Sequence, residues 1–154
     1  MNNKIMNKTI YKDILSIKSG IVCHQVNCKG IMGKGLALDI KNKYPSVHTA
    51  YLNRCISHDS KDLLGHVLLS FIPETSLIIA SLFGQENYGS DGKLYTDYKA
   101  LEKCLEFLAR YFSKMNVYIP YKIGCGLGGG DWKIVSKIIS DILPFAVIVQ
   151  KKGI

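Results

Sequence analysis

The apolar residues of this chain follow two alternating periods. Val67–Phe71, residues 77–83 and Val117–Pro120 are short runs of strand length. The run from Leu77 is unbroken by charge, as expected of a strand covered on both faces. Residues 21–26 and 145–149 have the same character, and Thr9–Tyr11 predicts an edge strand. Between these runs the period lengthens to that of a helix. Helices are expected over Gly35–Lys43, ending before Pro45, and over residues 46–57, 97–114 and 131–143. The third sets Leu101, Cys104, Leu105, Leu108 and Phe112 on one face. The last turns Trp132, Val135, Ile138, Ile139 and Ile142 inward, starts at the N-cap residue Asp131 and stops at Pro144. Strands alternating with helices predict an α/β fold: one mixed sheet between two helix layers.

Two segments break the pattern alike, each a strand, then a glycine-rich turn, then a helix. The first runs from Val26-Asn27 to Gly33-Lys34-Gly35. The second is Ile123-Gly124-Cys125-Gly126-Leu127-Gly128-Gly129-Gly130-Asp131. Glycine lets backbone N–H groups come close to a ligand, and a helix N-terminus adds unpaired N–H groups with partial positive charge. Together they favour phosphate, and two such loops on neighbouring strands would hold a diphosphate; the plainer alternative is a pair of tight turns. Two familiar phosphate motifs do not fit. Gly124, Gly126 and Gly129 have the spacing of a dinucleotide fingerprint, but the acid about 20 residues further on is missing and the chain ends there. Gly33-Lys34-Gly35 lacks the hydroxyl residue that follows the lysine of a P-loop.

Composition adds bounds. The 154 residues suit one domain, expected to span 1–154, with an apolar share of 47%, enough for its own core. The net charge of +8 makes nucleic acid a candidate partner, although the lysines are dispersed and arginine occurs only at Arg54 and Arg110. Five cysteines without a CxxC pair and without histidines at finger spacing argue against zinc and for a reducing, cytoplasmic setting. No run reaches membrane-span length and residues 1–9 lack the apolar core of a secretory leader, so a soluble protein is expected.

With these residues in place the chain resembles the macrodomain superfamily. The carrying stretches are Tyr11-Lys12-Asp13-Ile14-Leu15, Val26-Asn27 with Gly33-Lys34-Gly35-Leu36-Ala37, and Ile123 to Trp132. It is most similar to the branch of yeast-type ADP-ribose 1″-phosphate phosphatases, terminal ADP-ribose protein glycohydrolases and DNA ADP-ribosyl glycohydrolase antitoxins. The resemblance implies a three-layer α/β/α macrodomain that binds ADP-ribose. Asp13, with Ile14 beside it, would accept from the adenine amino group. Gly33, Lys34, Gly35 and the run Gly124, Cys125, Gly126, Leu127, Gly128, Gly129, Gly130 would hold the diphosphate and distal ribose. Asn27 would bond a distal-ribose hydroxyl. Phe83 and Tyr121 read as core, with packing on a ribose or adenine as the alternative.

The resemblance also bears on the reaction. Glycohydrolases of this branch use a lysine just after the strand that here ends at Phe83, where this chain reads Gly84-Gln85-Glu86-Asn87. Protein-directed members carry an aspartate where this chain has Gly128; its acid falls at Asp131. The yeast-type phosphatase has a functional histidine at the position of His24. The expected activity is therefore metal-independent hydrolysis of ADP-ribose 1″-phosphate to ADP-ribose and phosphate, with His24, Asn27 and Asp131 as catalytic candidates and no cofactor. His24 equally suits a hydrogen-bonded core position, and Asp131 a plain helix cap. Residues 85–95 are expected to form a mobile loop over the distal ribose, with Gln85 and Tyr88 as contacts. Removal of ADP-ribose from protein or nucleic acid, and ADP-ribose binding without catalysis, are the alternatives. A monomer is expected.

Overall fold

The computed structural model describes residues 6–153; residues 1–5 and 154, part of the leader reading and of the 1–154 span, lie outside the described residues. The strands are β1 (Thr9–Tyr11), β2 (Ser19–Val26), β3 (Val67–Phe71), β4 (Ser76–Phe83), β5 (Val117–Pro120) and β6 (Val147–Gln150). The helices are α1 (Gly35–Lys43), α2 (Pro45–Ser57), α3 (Ser60–Leu63), α4 (Tyr98–Tyr111) and α5 (Trp132–Ile142), with a 3-10 turn at Ile14–Ser16.

The strands form one sheet in the order β1-β6-β5-β2-β4-β3. Every pairing is parallel except that of β3 with β4, so the sheet is mixed, as the sequence predicts. Each face has its own core. Leu101, Cys104, Leu105 and Leu108 of α4 pack with Val135, Ile138 and Ile139 of α5 against one face. Ile40 of α1 with Val47 and Tyr51 of α2 packs against the other. The helical period thus becomes two flanking layers, and the run Leu77 to Phe83 is buried throughout because both layers cover it.

The boundaries move where local geometry intervenes. Strand β2 starts at Ser19 because its ladder with β4 begins at Ser19–Ser76, and the early start takes in Gly20, at φ 91°, where a Cβ would stand 2.9 Å from the Asn116 carbonyl oxygen. Strand β6 begins at Val147 rather than Phe145, the chain still turning after Pro144. Helix α4 ends at Tyr111, so Phe112 becomes its C-cap and is only partly buried, while Trp132 and Ile142 lie at the core's margin. The short helix α3 has no counterpart in the periodicity. None of the described helices is long and apolar enough to cross a membrane.

One consequence positions everything that follows. β5, β2 and β4 are adjacent and parallel, so the loops that leave their C-terminal ends emerge side by side at one edge.

Candidate functional site

The first glycine loop leaves β2 and turns back through Asn27. Its side-chain oxygen accepts from the Lys29 N–H at 2.9 Å and the Ile31 N–H at 3.4 Å, while its amide nitrogen donates to the Ile31 carbonyl at 2.8 Å. Met32 is buried and anchors the loop's far side. The chain then enters α1 through Lys34, an extended N-cap residue that makes no side-chain capping bond. The first amides of α1 have no helical acceptor. Gly35 sits at φ 60° with nothing within 4 Å of where a Cβ would be, so this helix end opens onto free space.

The second loop is built against a wall. Gly124 and Gly128 press on Thr96, and Gly129 on the Lys93 carbonyl. The Tyr95 and Thr96 N–H groups donate to the Gly128 carbonyl at 2.8 and 2.9 Å, and the Thr96 hydroxyl donates to the Gly124 carbonyl at 2.6 Å. Most glycines here serve close backbone packing. Gly126 alone in the loop has nothing within 4 Å.

The loop after β4 ties the two together. The Cys28 N–H donates to the Glu86 carbonyl at 3.0 Å, and Gln85 bridges to Thr96. The Gln25 side chain donates to both Gln85 Oε1 and Thr96 Oγ1 at 2.9 Å. The 85–95 segment is braced from within: Tyr95 donates to Asp91 at 2.8 Å, and Gly89 packs on the Tyr95 ring.

Between the loops lies a cleft of about 460 Å3, within the range typical of small-molecule sites. His24, Asn27, Gly33, Lys34, Gly35, Gln85, Tyr88, Gly124, Gly126, Leu127 and Gly128, all named from the sequence, line it. A second cleft holds Asp13 and Ile14, and Leu36, Pro120, Tyr121 and Lys122 border both, so the two join end to end. The Asp13 side chain caps the 3-10 turn, accepting from the Leu15 N–H at 2.9 Å. Lys122 stands at the junction with φ 61°, a left-handed backbone that a lysine adopts only under constraint.

Four of the expected residues fall elsewhere. Cys125, Gly129, Gly130 and Asp131 line neither cleft. Asp131 caps α5, accepting from the Lys133 N–H at 2.9 Å, and its own N–H donates to the Tyr98 hydroxyl. The structure thus gives Asp131 the helix-cap role and keeps it out of the cleft lining. Phe83 is core, while Tyr121 borders both clefts.

His24 forms part of the cleft floor and is 1% exposed. Its Nε2 lies 2.7 Å from the Ser81 hydroxyl, and its Nδ1 has no hydrogen-bond partner among the described residues. Burial lowers its pKa to about 3, so the imidazole is neutral at pH 7. Burial pushes the Cys28 thiol up to about 12 and the Cys125 thiol to about 11, so neither is a ready nucleophile. Among the described residues no cluster of three or more His, Cys, Asp or Glu is placed to hold a metal.

The sequence reading missed Gln25, Ser81, Thr96 and Tyr51. Gln25 and Ser81 left a signal, being polar residues inside strands otherwise apolar. Thr96 and Tyr51 left none, because their partners are distant in the chain.

No family model matches the chain. Among curated proteins it is 29% identical over 133 residues to a DNA ADP-ribosyl glycohydrolase of Mycobacterium tuberculosis, covering 81% of this chain but 35% of that protein. It is 28% identical over 148 residues to an ADP-ribose 1″-phosphate phosphatase of Debaryomyces hansenii, covering 78% and 81%. The chain therefore spans about a third of the mycobacterial relative and most of the yeast one. Among solved structures, a Bacteroides thetaiotaomicron protein of unknown function superposes with TM-score 0.82 at 30% identity, covering 97% of this chain and 99% of that one. The macrodomain of Mycobacterium tuberculosis DarG gives 0.74 at 22%, covering 94% and 97%. Thermosipho africanus DarTG in complex with ADP-ribose gives 0.75 at 22%, covering 97% and 43%. The architecture is that of these macrodomains.

Proposed function

We propose that this chain, similar over most of its length to a DNA ADP-ribosyl glycohydrolase and to an ADP-ribose 1″-phosphate phosphatase, is a macrodomain that binds ADP-ribose along the joined clefts and hydrolyses ADP-ribose 1″-phosphate to ADP-ribose and phosphate. One observation carries the binding reading. An open, uncapped helix N-terminus stands between Asp13 in one cleft and His24 with Asn27 in the other. Adenine at Asp13 and a diphosphate at the α1 amides put the distal ribose, with its terminal phosphate, against Asn27 and His24.

The reaction reading rests on what meets that phosphate. The loop amides and Lys34 offset its charge. His24 is neutral when the site is free; a dianionic phosphate beside a buried imidazole favours the charged form, so substrate itself draws a proton onto His24. That proton is then available to the leaving ribose oxygen as water attacks phosphorus. The first lysine after β4, Lys93, is exposed and lies 3.7 Å from Asp91, which counts against a lysine-adduct glycohydrolase.

A second reading, removal of ADP-ribose from DNA, is favoured by the DNA-directed relatives and by the +8 charge. The two separate in one experiment. The protein is incubated with ADP-ribose 1″-phosphate and with ADP-ribosylated DNA and protein, and phosphate and ADP-ribose release are measured. Phosphate release abolished in His24→Ala, with ADP-ribose binding kept, supports the first. ADP-ribose release that survives in that variant supports the second. Binding without turnover on any substrate overturns both.

A further inference from the structure

The Tyr51 side chain has no accessible surface and lines neither cleft. Its ring stacks on Phe83, with centroids 5.9 Å apart. Its hydroxyl nevertheless sits at the back of the first glycine loop. It lies 2.7 Å from the Asn27 carbonyl and 2.8 Å from the Asn27 side-chain oxygen, and accepts from the Gly30 N–H at 3.1 Å. One buried hydroxyl, its single proton shared between the two Asn27 oxygens, thus holds both the backbone and the side chain of Asn27. The contacts also decide which way the carboxamide faces. Its oxygen is drawn inward by the Tyr51 hydroxyl and by the Lys29 and Ile31 N–H groups. The amide nitrogen spends one hydrogen on the Ile31 carbonyl and keeps a second. Since Asn27 lines the cleft, what it retains for a ligand is a donor.

We propose that Tyr51, which no ligand reaches, is a positioning residue that gives the cleft its preference for a nucleotide carrying an oxygen-bearing group beyond its diphosphate. The inference rests on the ADP-ribose reading above and deepens it. The remaining Asn27 N–H selects an acceptor, a hydroxyl or phosphate oxygen on the distal group. The two parts of the loop are separable. The Tyr51 hydroxyl bonds Asn27 and Gly30, whereas the start of α1 is held by the apolar packing of buried Met32 and Ile40, which removing a hydroxyl leaves in place. Loss of the Tyr51 hydroxyl therefore loosens recognition of the distal group and spares the diphosphate.

The test compares ADP with ADP-ribose by calorimetry on the wild-type protein and on Tyr51→Phe, which keeps the ring against Phe83. The wild type is expected to bind ADP-ribose more tightly than ADP. In Tyr51→Phe the ADP affinity stays within about twofold, while the advantage of ADP-ribose over ADP falls about tenfold, the scale of one hydrogen bond. Equal weakening of both ligands, or an unchanged ratio, overturns the proposal. A wild type that binds ADP and ADP-ribose equally overturns it too and leaves nucleotide binding standing; one that binds neither overturns the parent reading as well. Should the variant fail to fold, the wild-type Asn27 side-chain amide supplies the readout by NMR. Its resonances shift with ADP-ribose and not with ADP; a shift with ADP, or with neither, refutes the assignment.

Discussion

His24 on β2 and Ser81 on β4 face each other across a parallel strand pair, 2.7 Å from imidazole nitrogen to hydroxyl, and both are sealed from solvent. His24 belongs to the cleft floor with Ser81 behind it, the imidazole is neutral, and its titration is a measurable property of the fold.

The folded-state pKa of His24, about 3, is below the ordinary value of 6.5, so the unfolded chain binds the extra proton first. Below pH 6.5 the unfolded state is favoured by up to about 1.4 kcal/mol per pH unit until the folded pKa is reached; above it His24 adds no slope. Urea unfolding of wild type against His24→Gln between pH 7 and 4 should show the steeper loss in wild type. Parallel slopes would mean that the imidazole is hydrated.

The glycines of the second loop divide into packing and open positions. Gly129→Ala puts a Cβ on the Lys93 carbonyl at φ 73°, and should destabilise by about 2 kcal/mol. Gly126→Ala meets nothing within 4 Å and should stay within about 0.5 kcal/mol of wild type while weakening ADP-ribose binding. Thermal melts paired with calorimetry distinguish the two; equal behaviour would show that the loop is not divided in this way.

Asp131 caps α5 and stands outside the cleft lining. Asp131→Ala should lower stability by about 1 kcal/mol, roughly 2 to 4 °C for a chain of this size, and Asp131→Asn should recover most of it. Turnover at saturating substrate should be the same for both variants. A kcat that falls in Asp131→Asn would return this carboxylate to the chemistry.

Asp13 stands in the second cleft, one carboxylate oxygen engaged by the Leu15 N–H. Asp13→Ala should weaken AMP and ADP-ribose alike by about tenfold, as expected for a lost bond to a charged group. Weakening confined to ADP-ribose would place the adenine elsewhere.

Much of this was legible beforehand for a physical reason. The runs at Val67–Phe71 and Val117–Pro120 keep their sequence-derived bounds because a strand's alternation and a helix's 3.6-residue period are written in adjacent residues. Asp131 and Pro144 likewise mark the ends of α5 locally. The glycine loops were equally visible, and both border one cleft because β2 and β5 pair directly.

Their division of labour was not visible. Gly126 and Gly129 look alike in sequence, yet only the fold brings the Lys93 carbonyl against one and leaves the other open. His24 and Asp131 offer equally plausible acid–base groups on paper, and tertiary burial seals one in the cleft floor while helix geometry turns the other into a cap. The chain's own order of residues determined the layers, the strand-turn-helix units and the glycine-rich character of the site, since these follow from neighbours a few positions apart. The folded structure alone decided which groups meet. The contacts Tyr51–Asn27, His24–Ser81 and Gln25–Thr96 join segments 24 to 71 residues apart, and no local pattern encodes such distances.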